Sequence, residues 1–229
     1  MCIRDSSCTI PTDLTFTNQM QLDTFTCPCS EVEVAGKVKI LGNDITDLSN
    51  LSCIKNVTGN FEIGDSLTIP SNEMLQSLQG LNNVMSIGGD LIICNNSMLG
   101  SLGGFSSLQE VGGDIIIKNC EVLETFEFIV LRSVGGSWRC INLPRWIGFG
   151  FFGGGSSGGS FTFLPGDLII ENCPSFVSWG GFAFVRTIGG NLFVIDCPAL
   201  PSIELPRLIR LLGCLHIINN QIILSLIHI

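Results

Sequence analysis

The sequence predicts an all-β fold: a right-handed parallel β-solenoid of about eight coils with a short N-terminal capping helix. Three observations lead there. A glycine turn followed by a short β-branched strand recurs, as in Gly88-Gly89-Asp90-Leu91-Ile92-Ile93, Gly112-Gly113-Asp114-Ile115-Ile116-Ile117 and Gly189-Gly190-Asn191-Leu192-Phe193-Val194. Its spacing is regular: the units at 88, 112, 135, 165, 189 and 212 lie 24, 23, 30, 24 and 23 residues apart, and looser copies open at 35 and 58. Finally, almost no stretch sustains a helical period, whereas the strands alternate as a pleated ladder requires.

In chain order, residues 7–33 read as an N-terminal cap. Residues 14–16 suit a strand, and Asn18 to Phe25 suit a short helix behind it, with Asn18 as the capping residue. Cys8, Cys27, Cys29 and Cys53 lie in or near this segment, where a small cap gains most from cross-links, and this favours an oxidising compartment. Residues 34–223 form the repeats. Each coil has a glycine turn expected to use positive φ, a strand, an Asn or Cys corner, and a second apolar stretch such as Met98 to Leu102. Residues 144–164 depart from this plan, being rich in Gly and Phe. They suit either a ligand-gripping loop or an inert insert.

Two columns of equivalent positions carry chemistry. Cys120, Cys173 and Cys197 occupy the position of Asn43, Asn96 and Asn220. A thiol ladder invites a metal reading, but the residues interchange with Asn and no C-x-x-C spacing accompanies them, so buried free thiols are expected. Asp90, Asp114 and Asp167 form a second column, filled elsewhere by Asn60, Ser137, Asn191 and Cys214. That mixture suits side-chain capping of the turn better than calcium binding. No cofactor is expected.

The ends are set aside. LSLIHI, residues 224–229, can be encoded by DNA whose reverse complement, read one base out of phase, encodes the opening Met-Cys-Ile-Arg-Asp of residues 1–6. Both read as sequencing-adapter artefacts of a fragment, so a signal peptide or anchor is expected to lie elsewhere if it exists. Removing Cys2 leaves ten of the eleven cysteines. The net charge of −9 is uneven, with 13 acids against 4 bases in residues 1–115 and 7 against 7 after that. Such a balance disfavours nucleic acid and other polyanionic partners. No apolar run is long enough to insert in a membrane. Asn50, Asn56 and Asn95 open glycosylation sequons.

The run Leu78, Leu81, Val84, Ile87, Leu91 and Ile93, with Ile45, Leu48 and Leu51 upstream, resembles the receptor L-domain family, a leucine-rich-repeat-like β-helix. The opening Asp13 to Phe16 and Gln21 to Phe25, followed by Cys27, looks like the cap of the microbial surface-protein type. The likeness covers nearly all of residues 13–223. It implies a location outside the cell or on its surface, and a protein or glycan ligand docking on the outward face of the main parallel sheet. The outward positions are Lys39, Glu62, Ile92, Ile116, Arg139, Ile169, Phe193 and His216, with Leu41, Cys94, Lys118, Ile141, Glu171, Ile195 and Ile218 beside them. Ile92, Ile116, Arg139, Ile169, Phe193 and His216 are the candidate ligand-binding residues.

The expected function is therefore non-catalytic recognition. A structural spacer within a larger adhesin or cell-wall protein is the alternative, and a glycan-active enzyme a weaker one. With His228 set aside, His216 is the single histidine, and no carboxylate pair sits in a recognisable catalytic context.

Overall fold

The computed structural model describes residues 7–65, 72–126, 128–150 and 161–221. The proposed adapter residues 1–6 and 224–229, and residues 151–160 of the Gly/Phe-rich stretch, lie outside the described residues.

Short β-branched runs between turns cannot bury both faces alone, so they stack. The chain forms parallel sheets wound into a β-solenoid. Its main sheet has nine strands: Leu14–Phe16, Val38–Ile40, Phe61–Ile63, Leu91–Cys94, Ile115–Lys118, Trp138–Ile141, Leu168–Glu171, Leu192–Ile195 and Leu215–Ile218. Adjacent strands pair in parallel register, Leu91 with Ile115, Ile115 with Trp138 and Leu168 with Leu192. A second side of the solenoid is built by six strands from Ser7–Ile10 to Ser133–Val134 and continued by Phe163–Leu164, Thr187–Ile188 and Arg210–Leu211. The cap thus supplies a strand to each side and is itself the first layer of the stack.

The helix Gln19–Thr24 closes that end. Asn18 caps it by accepting from the Gln21 amide at 3.0 Å, and Leu22 plugs the core. Two disulfides, Cys8–Cys29 and Cys27–Cys53, bind the cap to itself and to the following coil. One continuous core runs from Phe16 to Leu200. It includes the inward residues Leu91, Ile93, Ile115, Ile117, Leu168, Ile170, Leu192 and Val194.

The corners differ from expectation. The Gly-Gly turns do not use positive φ; among the described residues, left-handed backbone in the repeating corners belongs to Asn95, Asn119, Asn142, Asn172, Asp196 and Asn219, at φ between 51° and 58°. The glycines are required for close approach. A Cβ on Gly113 would lie 2.1 Å from Asp90 Oδ1, and one on Gly112 would lie 2.2 Å from the Gly88 carbonyl oxygen. Asp90 reaches across because it caps the coil above it: its Oδ1 accepts from the Asp114 amide at 2.8 Å. Asn60, Asp114, Ser137, Asp167 and Asn191 do the same for the following coil. The capping reading therefore holds, but each cap locks its neighbour's turn rather than its own.

The Gly/Phe-rich stretch is described only at its ends, residues 144–150 and 161–164. Its described flanks enter the core, with Trp146, Phe149 and Phe161 all buried. Trp146 stacks between Phe126 and Phe176, each 4.7 Å away at 17°, so an aromatic column replaces the leucines of other coils. These rings are packing residues and are not presented to a ligand.

Candidate functional site

The six candidate residues are brought together. Strand alternation sends Leu91, Ile93, Ile115 and Ile117 inward and their neighbours outward, and parallel register then aligns the outward ones. Ile92 pairs with Ile116, Ile116 with Arg139, Arg139 with Ile169, Ile169 with Phe193, and Phe193 with His216. All six are half-buried by one another, and Phe193 stacks flat on His216, centroids 4.5 Å apart at 9°.

The stripe is not uniformly apolar. Arg139 interrupts it, its Nη2 held 3.2 Å from Asp114 Oδ2 while its Nε makes no hydrogen bond. Toward the cap it ends in an ion cluster, where Lys39 lies 3.0 Å from Asp65 and 3.5 Å from Glu62. The hydrogen bond with Asp65 raises the lysine pKa, partly opposed by burial and reinforced by the charges of Asp65 and Glu62. In the neighbouring row, Cys94 is buried, contrary to its outward assignment. Burial pushes its thiol up to about 11, against the opposing pull of Lys118.

Beside that row runs a groove of about 400 Å³, lined by Asn95, Asn119, Asn142 and Asn172 along one side and Ser97, Glu121, Pro144 and Pro174 along the other. Its asparagines form a side-chain ladder. Asn119 Nδ2 donates to Asn95 Oδ1 at 2.6 Å, Asn142 to Asn119 at 2.7 Å, and Asn172 to Asn142 at 2.9 Å. Left-handed backbone aims each amide along the axis, so these residues serve the corner first. The signal that identifies them in the sequence is the dipeptide, Asn95-Asn96, Asn119-Cys120, Asn142-Leu143, Asn172-Cys173, Asp196-Cys197 and Asn219-Asn220. Its first member turns the chain and its second points inward.

The inward member explains why Cys and Asn interchange. Asn96 Nδ2 donates to the carbonyl two residues before it, Cys94, and to Ile63 in the coil below. Cys173 Sγ does likewise toward Glu171 and Cys140, and Cys197 Sγ toward Ile195 and Ile170. Either side chain supplies the buried donor that two corner carbonyls need. Asn43 is not in this column: it is exposed, and Asn72 takes the buried place, donating to Ile40 O and Asn96 Oδ1.

Cys94, Cys120, Cys140, Cys173 and Cys197 are buried free thiols, and Cys214 is exposed. Burial pushes Cys120 up to about 12. The bond between Cys173 and Cys197 holds Cys173 far above the usual thiol range and makes Cys197 the first of the two to ionise. Among the described residues no group of three or more His, Cys, Asp or Glu is placed to hold a metal ion.

The sequons are not equivalent. Asn95 is buried within the ladder, Asn56 lies in a strand and accepts from Ser86 Oγ, and Asn50 is exposed with its amide on Leu22 O and Asp23 O. No family model, curated protein or solved structure matches the chain. No helix among the described residues is long and apolar enough to cross a membrane.

Proposed function

We propose that this protein is a non-catalytic recognition module of the receptor L-domain type, located outside the cell or on its surface. In this reading it binds a protein or glycan through the outward face of its main sheet. The observation that carries the reading is the aligned outward row in which Ile92 and Ile116 on one side of Arg139 and Ile169 and Phe193 on the other are each half-exposed. Contiguous apolar surface on a rigid sheet is characteristic of interaction sites. Arg139 adds a polar contact point, its guanidinium partly exposed beside Asp114. The two disulfides support an oxidising location. Recognition is favoured over hydrolysis because His216 is held flat on Phe193 and serves the surface as a stacked ring.

The test compares Ile116→Asp and Phe193→Asp with the parent in two measurements, thermal melting and retention on immobilised cell-surface extract. Outward substitutions of half-exposed residues are expected to leave the melting transition within a few degrees while retention falls at least tenfold, as for anchors of a desolvated patch. Collapse of both variants would make the face covered core. Parent-like retention by two folded variants would leave the spacer reading in its place.

A further inference from the structure

The whole-chain charge conceals a local concentration of arginine on the second side of the solenoid, away from the main-sheet stripe. Arg132, Arg186, Arg207 and Arg210 are all exposed. The backbone aligns them. Arg186 N donates to Thr162 O at 2.8 Å, and both Ile209 N and Arg210 N donate to Arg186 O, at 2.8 and 3.1 Å. Phe163, Thr187 and Arg210 are register partners in three successive coils. Strand Ser133–Val134, which follows Arg132 directly, lies against Phe163–Leu164. With coils stacked about 4.8 Å apart, the backbones of Arg132 and Arg186 are roughly 10 Å apart along the axis.

None of these guanidinium groups forms an ion pair among the described residues; the pairs present are those of Lys39, Lys55 and Arg139. Arg207 is oriented by the ring of Phe184, 4.8 Å beneath its guanidinium carbon, at the edge of a cleft of about 390 Å³ that Arg186 and Ile209 also line. Interspersed with the cations are strongly exposed apolar side chains, Phe163 at 51 %, Ile209 at 64 % and Leu212 at 67 %. Along this side Glu110 lies one coil before Arg132, and the Glu204 carboxylate accepts from Ser202 Oγ.

We propose that this lane binds a linear anionic glycan, one bearing sulfate or carboxylate groups along its length. Guanidinium forks match such groups bidentately, and uncommitted forks are free to do so. Arg132 and Arg186 follow the solenoid axis with Thr162 in the coil between them, and Arg210 continues the line one coil on, an arrangement that suits a stiff polymer laid along the coils. The exposed Phe163 ring offers a flat surface to the apolar face of a sugar. An acidic peptide would need pockets for anchoring side chains, and a bilayer would need a broader apolar area. The expectation against polyanions rested on an acidic first half and on Lys and Arg that are scattered along the sequence, whereas binding depends on where they cluster in space.

The experiment is a titration of the whole chain with dextran sulfate at several salt concentrations, with neutral dextran, polyglutamate and phosphatidylserine vesicles as parallel arms. The expected result is binding to dextran sulfate alone, weakening with salt as counterion release requires. R186A/R210A is expected to lose at least tenfold in affinity with a shallower salt dependence, and F163A severalfold. If the alanine pair melts early, R186Q/R210Q gives the same reading. The proposal is overturned if dextran sulfate does not bind, if the folded double variant binds like the parent, or if polyglutamate or the vesicles bind as tightly.

Discussion

At the scale of single residues, the structure separates two tasks that the sequence motif presents together. The glycine pair gives close approach between coils, and the Asx residue six positions after the second glycine gives the left-handed turn. Sequence reading assigned the left-handed turn to glycine because glycine is the usual residue at positive φ. Asn is the other residue that tolerates this conformation, and here its amide also bonds to the coil below. The ladder has one chemical flaw. Asp196 stands where Asn172 Oδ1 should receive a donor, and a carboxylate has none to give. Replacing Asp196 by Asn is expected to extend the ladder by one hydrogen bond. A gain of about 0.5 to 1.5 kcal/mol follows, measurable as a higher denaturation midpoint with an unchanged slope. A loss of stability would show that the column is not continuous at that coil.

At the scale of the elements, the strands were legible because inward and outward residues alternate with a period that chemistry alone reveals. Ile92 and Ile93, or Ile116 and Ile117, need no structure to be told apart once the turn is located. The corner column was only partly legible. Its Asn and Cys members were recognised as equivalent, yet Asn43, placed in it by its distance from the strand, is exposed, whereas Asn72 of the next coil donates inward without having been recognised. Cys94 was assigned outward by alternation and is nonetheless buried.

The buried thiols give this element a pH dependence. Unfolded thiols ionise near pH 8.5, whereas burial holds Cys94 and Cys120 protonated to about 11 and about 12. The folded state keeps protons that the unfolded state releases, so the stability is fully present below about pH 8.5. It is lost as pH rises toward the folded values, by about 1.4 kcal/mol per pH unit for each thiol. Urea unfolding between pH 8 and 10 is expected to show this decline, and Cys120→Ser to flatten it. Alkylation follows the same logic: among the described residues, the native protein labels at Cys214, and the denatured, unreduced protein labels at Cys94, Cys120, Cys140, Cys173, Cys197 and Cys214 but not at Cys8, Cys27, Cys29 or Cys53.

For the whole molecule, stacking makes stability nearly one-dimensional, since each coil touches only its neighbours. The cap is the one end reinforced by covalent bonds, with cystines separated by 21 and 26 residues. Each closes a loop worth about 3 kcal/mol in chain entropy. Reduction is therefore expected to accelerate amide exchange in residues 7–63 while leaving strands Leu168–Glu171 and Leu192–Ile195 protected; uniform acceleration would mean that the coils unfold as one cooperative unit. The overall architecture was legible from the repeat alone. The function was not, because an apolar outward stripe has no sequence mark distinguishing a binding face from a covered one, and the Arg132 to Arg210 lane emerges only when distant coils are aligned.

The central claim is that adjacent residues of one strand have separate tasks, the inward one holding the fold and the outward one meeting a partner. It is tested most directly by melting Ile116→Asp beside Ile117→Asp. The account predicts that the outward variant melts within a few degrees of the parent. The inward variant, with a charge in a fully buried site, is predicted to lose its cooperative transition. Equal losses in the two variants would contradict it.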